Sequence, residues 1–258
     1  MSLILTEKMG DISYIILNNS KTRNALSQKL MKEFQEELNK LSKDSKTKVV
    51  IIKGNGLSFC VGHDINELVG KEYDLDHFKK IFYSCTNLMK SIRKLPQIVI
   101  AQVHGAAFAA GCQLVAACDL AVCDEKAKFC TPGVKIGLFC STPMVPLSRV
   151  VGRRNALDML FTGRVIDSKE AKEFGLVNRI FSADILDIET EKFAKDIAKY
   201  SRHTLELGKK AFYEQIKKDE FSAYDYAKDV ISENCLSYDA QEGMTAFLEK
   251  RKAIWKNK

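Results

Sequence analysis

Apolar residues in this chain follow two patterns, one typical of buried strands and one typical of amphipathic helices. Short apolar runs bounded by Gly, Asn or Pro predict strands inside a sheet covered on both faces. The sequence places such strands at 12–18, 48–53, 98–103, 120–123 and 176–181. Apolar residues three or four apart predict helices after Ser27, over about 74–94 and from about 184 onward. We therefore expect ββα-like units in the first two thirds of the chain and helices in the last third.

The stretch from Ala101 to Asp124 joins a predicted strand to a predicted helix through small residues. The strand leads into His104-Gly105, six mostly small residues follow at 106–111, and an apolar helix is predicted over 112–117. A helix start leaves backbone N–H groups without intrahelical partners and carries partial positive charge. A second such turn lies at 58–64. One N–H donor from each turn would be enough to hold a single carbonyl oxygen.

Turn and cap signals complete the local prediction. The segments 129–133 and 137–142 predict loops, and helical pattern resumes near Pro143. Capping boxes are predicted at 167–170 and 239–242.

Length and composition are those of one large domain, or of a domain with a helical appendage. The chain has 258 residues, of which 46% are hydrophobic, enough for a sizeable core. No apolar run reaches the ~18 residues of a membrane-spanning helix, so we expect no membrane span. The first residues resemble neither a signal peptide nor a transit peptide. We therefore expect a cytoplasmic protein, or a mitochondrial matrix protein if a targeting segment has been removed.

Charge and cysteine content narrow the possible partners. The net charge of +7 is spread along the chain, without the basic block and interleaved aromatics of a nucleic-acid site, so we expect no nucleic-acid partner. A moderate basic excess suits a small polyanion, such as a nucleotide-bearing cofactor. The eight cysteines form no C-x-x-C pair and no zinc-finger spacing. We expect free thiols, a reducing compartment and no metal site.

Six motifs, taken in order, resemble those of the crotonase family, the enoyl-CoA hydratase/isomerase superfamily. They are RNAL at 23–26, SFCVGHDI at 58–65, the stretch 104–119, TGRVI at 162–166, GLV at 175–177 and EGMTAFLEKR at 242–251. The combination of GHD, AAGCQL and GLFCST is similar to one branch of that family. The resemblance implies an α/β fold of the ClpP/crotonase-like type, a spiral of ββα units with a C-terminal helical region. It implies a spiral core over 1–195, and a trimerising, CoA-closing region over 196–258.

The resemblance also implies a ligand and an assembly. The family acts on acyl-CoA or enoyl-CoA thioesters, with coenzyme A as part of the substrate and no permanently bound cofactor. Its members assemble as homotrimers or dimers of trimers. Its shared chemistry stabilises a thioester enolate with two backbone N–H groups, here those of His63 and Ala110, and fixed donors of this kind need no reorganisation during the reaction.

The contacts with substrate and CoA follow from the same resemblance. The implied contact residues are Arg23 and Ala25 at the adenosine end, Gly62, His63, Asp64, Ile65, Ala110 and Gly111 around the thioester, and Phe247 and Lys250, which close the site, often from a neighbouring subunit. Among nearby carboxylates, the resemblance implies a structural Asp119. We expect Asp64 to cap a helix and Glu67 to be solvated.

The sequence departs from the family at both catalytic carboxylates. Hydratases of the family carry one glutamate three residues after the second donor and another after the proline of the F-x-x-P loop. These positions are Gln113 and Gly133 here, and neither residue can transfer a proton. General acid–base catalysis contributes about 10²–10⁴-fold, so we expect hydration to be severely reduced.

Other groups could supply chemistry. By the same resemblance, Cys140 falls where related dehalogenases and naphthoyl-CoA synthases place an aspartate. Its thiol could act as a nucleophile or a base. The interpretation that we favour is a buried, inert thiol. Ser141 and Thr142 either orient a water or cap a helix. His63 and His104 are the histidines near the two turns, and either could be a base, although we expect His104 to be a satisfied buried imidazole. His77 and His203 are expected at the surface.

Three functions stay open at this point. The first is an acyl-CoA-binding protein that stabilises an enolate, with Gln113, Gly133 and Cys140 shaping its pocket. The second is a non-catalytic acyl-CoA sensor. The third is a thioesterase that uses Cys140 or Ser141.

Overall fold

The chain folds into an α/β structure with two sheets and a C-terminal group of helices. The computed structural model describes residues 2–69 and 73–258. The strands are β1 (Ile4–Met9), β2 (Ile12–Leu17), β3 (Val49–Gly54), β4 (Ile98–Val103), β5 (Ala106–Phe108), β6 (Leu120–Asp124), β7 (Lys128–Cys130), β8 (Ile166–Asp167) and β9 (Arg179–Phe181). The α-helices are α1 (Gln28–Leu41), α2 (Leu75–Lys94), α3 (Ala110–Ala117), α4 (Met144–Val150), α5 (Arg153–Thr162), α6 (Ser168–Glu173), α7 (Leu186–Ala198), α8 (Arg202–Gln215), α9 (Glu220–Asn234) and α10 (Tyr238–Leu248). Short 3₁₀ helices cover Ser20–Thr22, Ile65–Glu67 and Pro132–Ile136.

The chain steps repeatedly from a large sheet to a small one. The large sheet has the strand order β1-β2-β3-β4-β6-β9, antiparallel between β1 and β2 and parallel elsewhere. The small sheet has the order β5-β7-β8. The chain passes from β4 to β5 and from β6 to β7, and the segment after β3 reaches the small sheet through a bridge between Cys60 and Ala107. This stepping is the course that a spiral of ββα units follows.

The large sheet is buried on both faces. The first four residues of β3 are fully shielded from solvent. On one face the sheet packs with α1, α2 and α3, and on the other with α7 through Leu186, Ala194 and Ala198. A strand covered on both sides has no polar face, which is why its sequence is a continuous apolar run.

Several local predictions are confirmed. The Ser27 side chain accepts a hydrogen bond from the Leu30 N–H at 3.2 Å and caps α1. Asp74 caps α2 by accepting from the N–H groups of Asp76 and His77, and α2 ends just before Pro96. In the first capping box the cap is confirmed, because Asp167 accepts from the N–H groups of Lys169 and Glu170. The Glu170 carboxylate, however, accepts from the Arg164 guanidinium at 2.7 Å.

Other local predictions were wrong. Residues 106–108 form β5, where a turn of small residues was expected, and α3 begins at Ala110, two residues earlier than predicted. The segment 129–133 is the end of β7 and the start of a 3₁₀ helix, where a loop was expected. The predicted strand 176–181 shortens to β9. The strands of the small sheet are two or three residues long, and such short segments do not show a recognisable pattern of apolar residues.

The second capping box was also wrong. Helix α10 begins two residues earlier than that box implies, and its cap is Ser237, whose hydroxyl accepts from the Ala240 N–H at 3.2 Å. Asp239 is buried inside the first turn. There it accepts hydrogen bonds from the Ser201 hydroxyl and the Lys256 N–H.

Strand β1 was not predicted, because only Ile4 of its six residues is buried. No helix within the described ranges has the length and apolar character that crossing a bilayer requires.

Candidate functional site

The two turns predicted to hold a carbonyl oxygen lie directly against each other. The Phe59 N–H donates to the His104 carbonyl at 2.9 Å, the Cys60 N–H donates to the Ala106 carbonyl at 3.1 Å, and the Phe108 N–H donates back to the Cys60 carbonyl at 2.9 Å. These backbone bonds fix one turn beside the other without relying on side chains.

Two glycines make this close approach possible. A Cβ added at Gly111 would lie 2.0 Å from the Cys60 carbonyl oxygen. A Cβ added at Gly62 would lie 2.9 Å from the Ala109 Cβ and 3.3 Å from the Ala110 nitrogen, and the φ of Gly62 is +99°. Neither position has room for a side chain. The backbone before His63 therefore adjoins the start of α3.

The backbone N–H groups of His63 and Ala110 donate to no acceptor in the described part of the chain. Ala110 is the first residue of α3, so its N–H has no intrahelical acceptor and carries the positive end of the helix dipole. The preceding Ala109 has φ 48° and ψ −116°, a strained conformation for a residue with a Cβ. Its N–H donates to the Cys130 carbonyl at 2.8 Å, which helps to hold it there.

The loop at 23–26 is hydrogen-bonded to the 58–64 turn. Its Leu26 N–H donates to the Gly62 carbonyl at 2.7 Å. The two predicted CoA-contact residues of this loop therefore lie in a segment bonded to the 58–64 turn, with Arg23 exposed and Ala25 buried. The role of Asn24 was missed. Its amide accepts from the Asn19 N–H and donates to the carbonyls of Asn55 and Ser58 at 2.9 and 2.8 Å. The signal for it was an Asn in a turn, a residue that tolerates the left-handed φ of 58° found there.

The predicted cap at Asp64 is confirmed, because its carboxylate accepts from the Asn66 N–H at 3.0 Å. Ile65 is half exposed beside it.

The expectation that Glu67 is solvated was wrong. Its carboxylate accepts from the Gln28 N–H at 2.9 Å, at the positive end of α1, and its carbonyl contacts the His77 ring nitrogen at 2.8 Å. His77 is thus a tether to α2 rather than a surface residue.

The two positions that lack glutamates differ in their surroundings. Gln113 lies on α3 one turn after Ala110 and is buried, with its Oε1 4.0 Å from the Cys85 Sγ. At Gly133, an added Cβ would lie 2.4 Å from the Leu138 carbonyl oxygen and 2.9 Å from the Cys140 Sγ. The course of the 137–140 loop therefore excludes any side chain at position 133.

The thiols around the site are buried and protonated. Burial raises the pKa of Cys140, although a contact with the Gly133 backbone offsets part of the shift. Burial likewise raises the pKa of Cys112, and it raises the pKa of Cys130 to about 12. A protonated thiol is a poor nucleophile, which supports the inert interpretation of Cys140.

The residues after Cys140 do not cap a helix. The cap position of α4 is Pro143, without a side-chain cap, so of the two alternatives for Ser141 and Thr142, the one in which they cap a helix was wrong. The Ser141 hydroxyl donates to the Phe139 carbonyl at 3.3 Å and is exposed.

The histidines of the two turns differ in the hydrogen bonding of their ring nitrogens. A ring nitrogen of His104 contacts the Gly56 carbonyl at 2.9 Å, so this partly buried imidazole is satisfied, as expected. Both ring nitrogens of His63 are buried and have no hydrogen-bond partner among the residues described. Its ring packs edge-on against Phe82, with centroids 5.2 Å apart. Burial lowers the pKa of His63, and the Leu26 carbonyl, which lies outside hydrogen-bond geometry, offsets part of that shift.

Asp119 is structural, as expected. Its carboxylate accepts from the Val99 N–H at 2.7 Å and from the Tyr213 hydroxyl at 2.8 Å, and it pairs with the Lys209 ammonium at 2.7 Å. Within residues 2–69 and 73–258, no three His, Cys, Asp or Glu side chains are grouped so as to hold a metal ion.

Phe247 and Lys250 lie at the end of α10. Phe247 is 82% exposed, and the Lys250 N–H donates to the Phe247 carbonyl. As far as the chain is described, no hydrogen bond or ion pair of either residue reaches the two turns. Their role toward CoA stays a prediction.

Comparison with known proteins supports the resemblance seen in the motifs. The family model described as enoyl-CoA hydratase/isomerase matches residues 7–258. The zebrafish (Danio rerio) protein described as enoyl-CoA hydratase domain-containing protein 3, mitochondrial, is 44% identical over 256 residues, which are 99% of this chain and 88% of the relative. The branch suggested by the GHD, AAGCQL and GLFCST motifs is therefore confirmed.

Solved structures agree. The crystal structure of human enoyl-CoA hydratase domain-containing protein 3 is 42% identical, with a TM-score of 0.95 over 98% of this chain and 100% of that chain. The structure of an enoyl-CoA hydratase from Mycobacterium smegmatis is 41% identical, with a TM-score of 0.96 over 99% of both chains. These likenesses confirm the predicted fold class.

Proposed function

Since this chain belongs to the enoyl-CoA hydratase/isomerase family, we propose that it binds an acyl-CoA or enoyl-CoA thioester and stabilises the thioester enolate with the backbone N–H groups of His63 and Ala110. Coenzyme A is then part of the ligand, and no permanently bound cofactor is needed.

The observation that carries this proposal is the pair of unused N–H donors on two abutting turns. As an enolate forms, negative charge develops on the thioester oxygen, and donors already fixed in place stabilise that charge without reorganisation. Removing one such donor typically costs ~3 kcal/mol of barrier. Gly62, Asp64, Ile65 and Gly111 surround the donors and shape the space for the thioester.

The exposed Arg23 beside this turn suits the phosphates of CoA, because a guanidinium donates two parallel hydrogen bonds to a phosphate. Ala25 lies in the same loop, on the side proposed for the adenosine.

The far side of the CoA site is proposed to come from the C-terminal helices of a neighbouring copy. Residues 196–258 form the trimerising region in this proposal, next to a spiral core over 1–195. The helices of a single copy leave large apolar side chains exposed, which include Phe221, Leu236, Phe247 and Leu248 at 78–83% exposure. Apolar surface of this kind marks an interface. We propose a homotrimer or a dimer of trimers, with Phe247 and Lys250 closing a neighbour's site.

We propose the cytoplasm or the mitochondrial matrix as the compartment. The zebrafish relative is described as mitochondrial, and the cysteines of this chain are free, as in a reducing compartment.

A non-catalytic acyl-CoA sensor is the second candidate. It is favoured by the closed backbone at Gly133, which leaves no room for a second glutamate. A thioesterase is less favoured, because the Cys140 thiol is held protonated and the Ser141 hydroxyl bonds to a carbonyl.

The experiment is a panel of acyl- and enoyl-CoA esters, measured for binding by calorimetry and for conversion by loss of the conjugated enoyl-thioester absorbance. Binding of at least one ester supports the proposal. Rapid hydration of crotonyl-CoA would show that Gln113 and Gly133 do not limit the chemistry, and release of free thiol, abolished by Cys140→Ala or Ser141→Ala, would establish the thioesterase instead.

A further inference from the structure

We infer that the imidazole of His63 is the proton carrier of this site, so that the protein shifts protons along a bound acyl chain rather than adding water to it. This inference rests on the proposed function, because it requires a thioester oxygen at the His63 and Ala110 N–H groups.

The first observation is that His63 has two buried ring nitrogens and no partner for either among the described residues. His104 and His77 each bring a ring nitrogen within 2.9 Å of a carbonyl oxygen. Buried polar groups in folded proteins are nearly always paired, and an exception at a site calls for a ligand or a chemical role.

The second observation places the His63 ring near the position of the absent first glutamate. The ring packs on Phe82 of α2. Cys85 lies three residues further along α2, 4.0 Å from the Gln113 Oε1. Residues three apart on a helix are neighbours on one face, about 5–6 Å apart. His63 and Gln113 therefore border the same face of α2.

The third observation concerns the backbone. The N–H of His63 itself is a proposed donor to the thioester oxygen, so its imidazole lies within one side-chain length of that oxygen. The α-carbon of the acyl chain is bonded to the same carbonyl carbon. In this proposal, one residue supplies both the hydrogen-bond donor to the oxygen and the base for the neighbouring α-carbon.

The other titratable groups near the ring are unsuited to the task. On α2, burial raises the pKa of Cys85 to about 12. In the turn itself, the Asp64 carboxylate is occupied by the N–H and amide of Asn66. Burial keeps the His63 imidazole neutral near pH 7, which is the form that accepts a proton.

The step balances without any co-reactant. A ring nitrogen of His63 takes a proton from the α-carbon. The C–H electron pair forms a double bond to the carbonyl carbon, and the carbonyl π pair moves to the oxygen held by the two N–H groups. The imidazolium then returns the proton, either to the α-carbon or, in a 3-enoyl-CoA, to the γ-carbon, which leaves a 2-enoyl-CoA. One proton carrier is sufficient for this shift, whereas hydration also needs a group that activates water.

The experiment is α-proton exchange in D₂O, followed by mass spectrometry of butyryl-CoA, with binding measured in parallel. Wild type and the control His203→Gln, on α8 away from the site, are expected to introduce deuterium at the α-carbon. His63→Gln keeps the backbone N–H, so it is expected to bind butyryl-CoA within about threefold of wild type while exchange falls by about 100-fold or more.

The pH profile of wild type gives a second readout that needs no variant. The exchange rate should rise through a pKa below 6.5 and level off by about pH 7.5, as expected for a neutral imidazole base with a lowered pKa.

Three results would overturn the inference. They are exchange by His63→Gln at the wild-type rate, binding by wild type without any exchange, and a pH profile whose midpoint lies above 6.5. If wild type binds no CoA ester at all, the proposed function fails and this inference fails with it, so the two failures are distinguishable.

Discussion

At the scale of single residues, the two positions that lack a glutamate differ in their structure. At Gln113 the side chain is present but cannot ionise, whereas at Gly133 the backbone of the next loop fills the space that a side chain would need. The sequence showed both substitutions. It could not show that position 133 is closed, because that depends on the Leu138 carbonyl and the Cys140 thiol five and seven residues away.

Adding a side chain at position 133 is expected to destabilise the fold. Gly133→Ala places a Cβ 2.4 Å from the Leu138 oxygen, and overpacking of this kind costs about 1–3 kcal/mol. Gly208→Ala is the control, because its Cβ would meet no atom within 4 Å and Ala favours a helix. Urea unfolding measures both variants. Equal stability of the two would mean that position 133 has room for a side chain.

The role of His63 also belongs to the residue scale. The motif identified its backbone as a donor, and proximity in sequence made its ring a candidate base. The ring packs against Phe82, nineteen residues away on α2, and no local pattern contains that information.

At the scale of elements, α8 holds the far end of the helix that presents a donor. Lys209 of α8 pairs with Asp119, which follows α3, and Arg93 donates to the Ala116 carbonyl at 3.1 Å while stacking on Tyr213 of α8. The C-terminal helices thus contact the site-forming helix within one chain.

Breaking the Lys209–Asp119 pair is expected to be costly, because Lys209 and Asp119 are only 4% and 10% exposed. Asp119→Ala leaves a buried ammonium without its partner, which typically costs about 3–5 kcal/mol. The double variant Asp119→Ala with Lys209→Met should recover part of this loss, as urea unfolding would measure. If both variants are equally unstable, the pair is not the source of the effect.

The elements that could be predicted from the sequence are those with a clear pattern of buried residues. Strand β3 was evident because both of its faces are covered, and α1 because its apolar stripe and its Ser27 cap agree. Strands β5, β7 and β8 were missed because they are two or three residues long and are defined by pairing between distant segments. The cap of α10 was misplaced because Asp239 serves tertiary contacts that outweigh its local capping preference.

At the scale of the whole molecule, the spiral brings three distant segments to one place. The loop at 23–26, the turn at 58–64 and the start of α3 are joined by backbone hydrogen bonds. The order of the motifs was sufficient to predict the family and fold. The motifs alone could not show which side chains border the proposed thioester site, since that depends on how α2 packs over both turns.

The apolar groove between α8 and α9 is expected to be covered in the assembly. It is lined by residues such as Leu207, Phe212 and Ile231. Ile231→Glu should shift the protein from a trimer or hexamer toward a monomer in analytical ultracentrifugation, because a charge would be buried at the interface. Ile188→Glu, on exposed α7 surface, is the control. A wild type that sediments as a monomer would contradict the proposed assembly.

The central claim, that two abutting turns hold a thioester oxygen, is tested most directly by calorimetric titration of CoA esters into wild type, Gly62→Ala and Gly10→Ala. Both glycines have positive φ, but an added Cβ meets no atom within 4 Å at Gly10, whereas at Gly62 it would lie 2.9 Å from Ala109 and force the turns apart. We expect wild type and Gly10→Ala to bind at least one ester equally. Folded Gly62→Ala should bind it at least about tenfold more weakly, because a lost charge-assisted hydrogen bond costs about 1.5 kcal/mol or more. Equal binding by Gly62→Ala, or no binding of any ester by wild type, would contradict the claim.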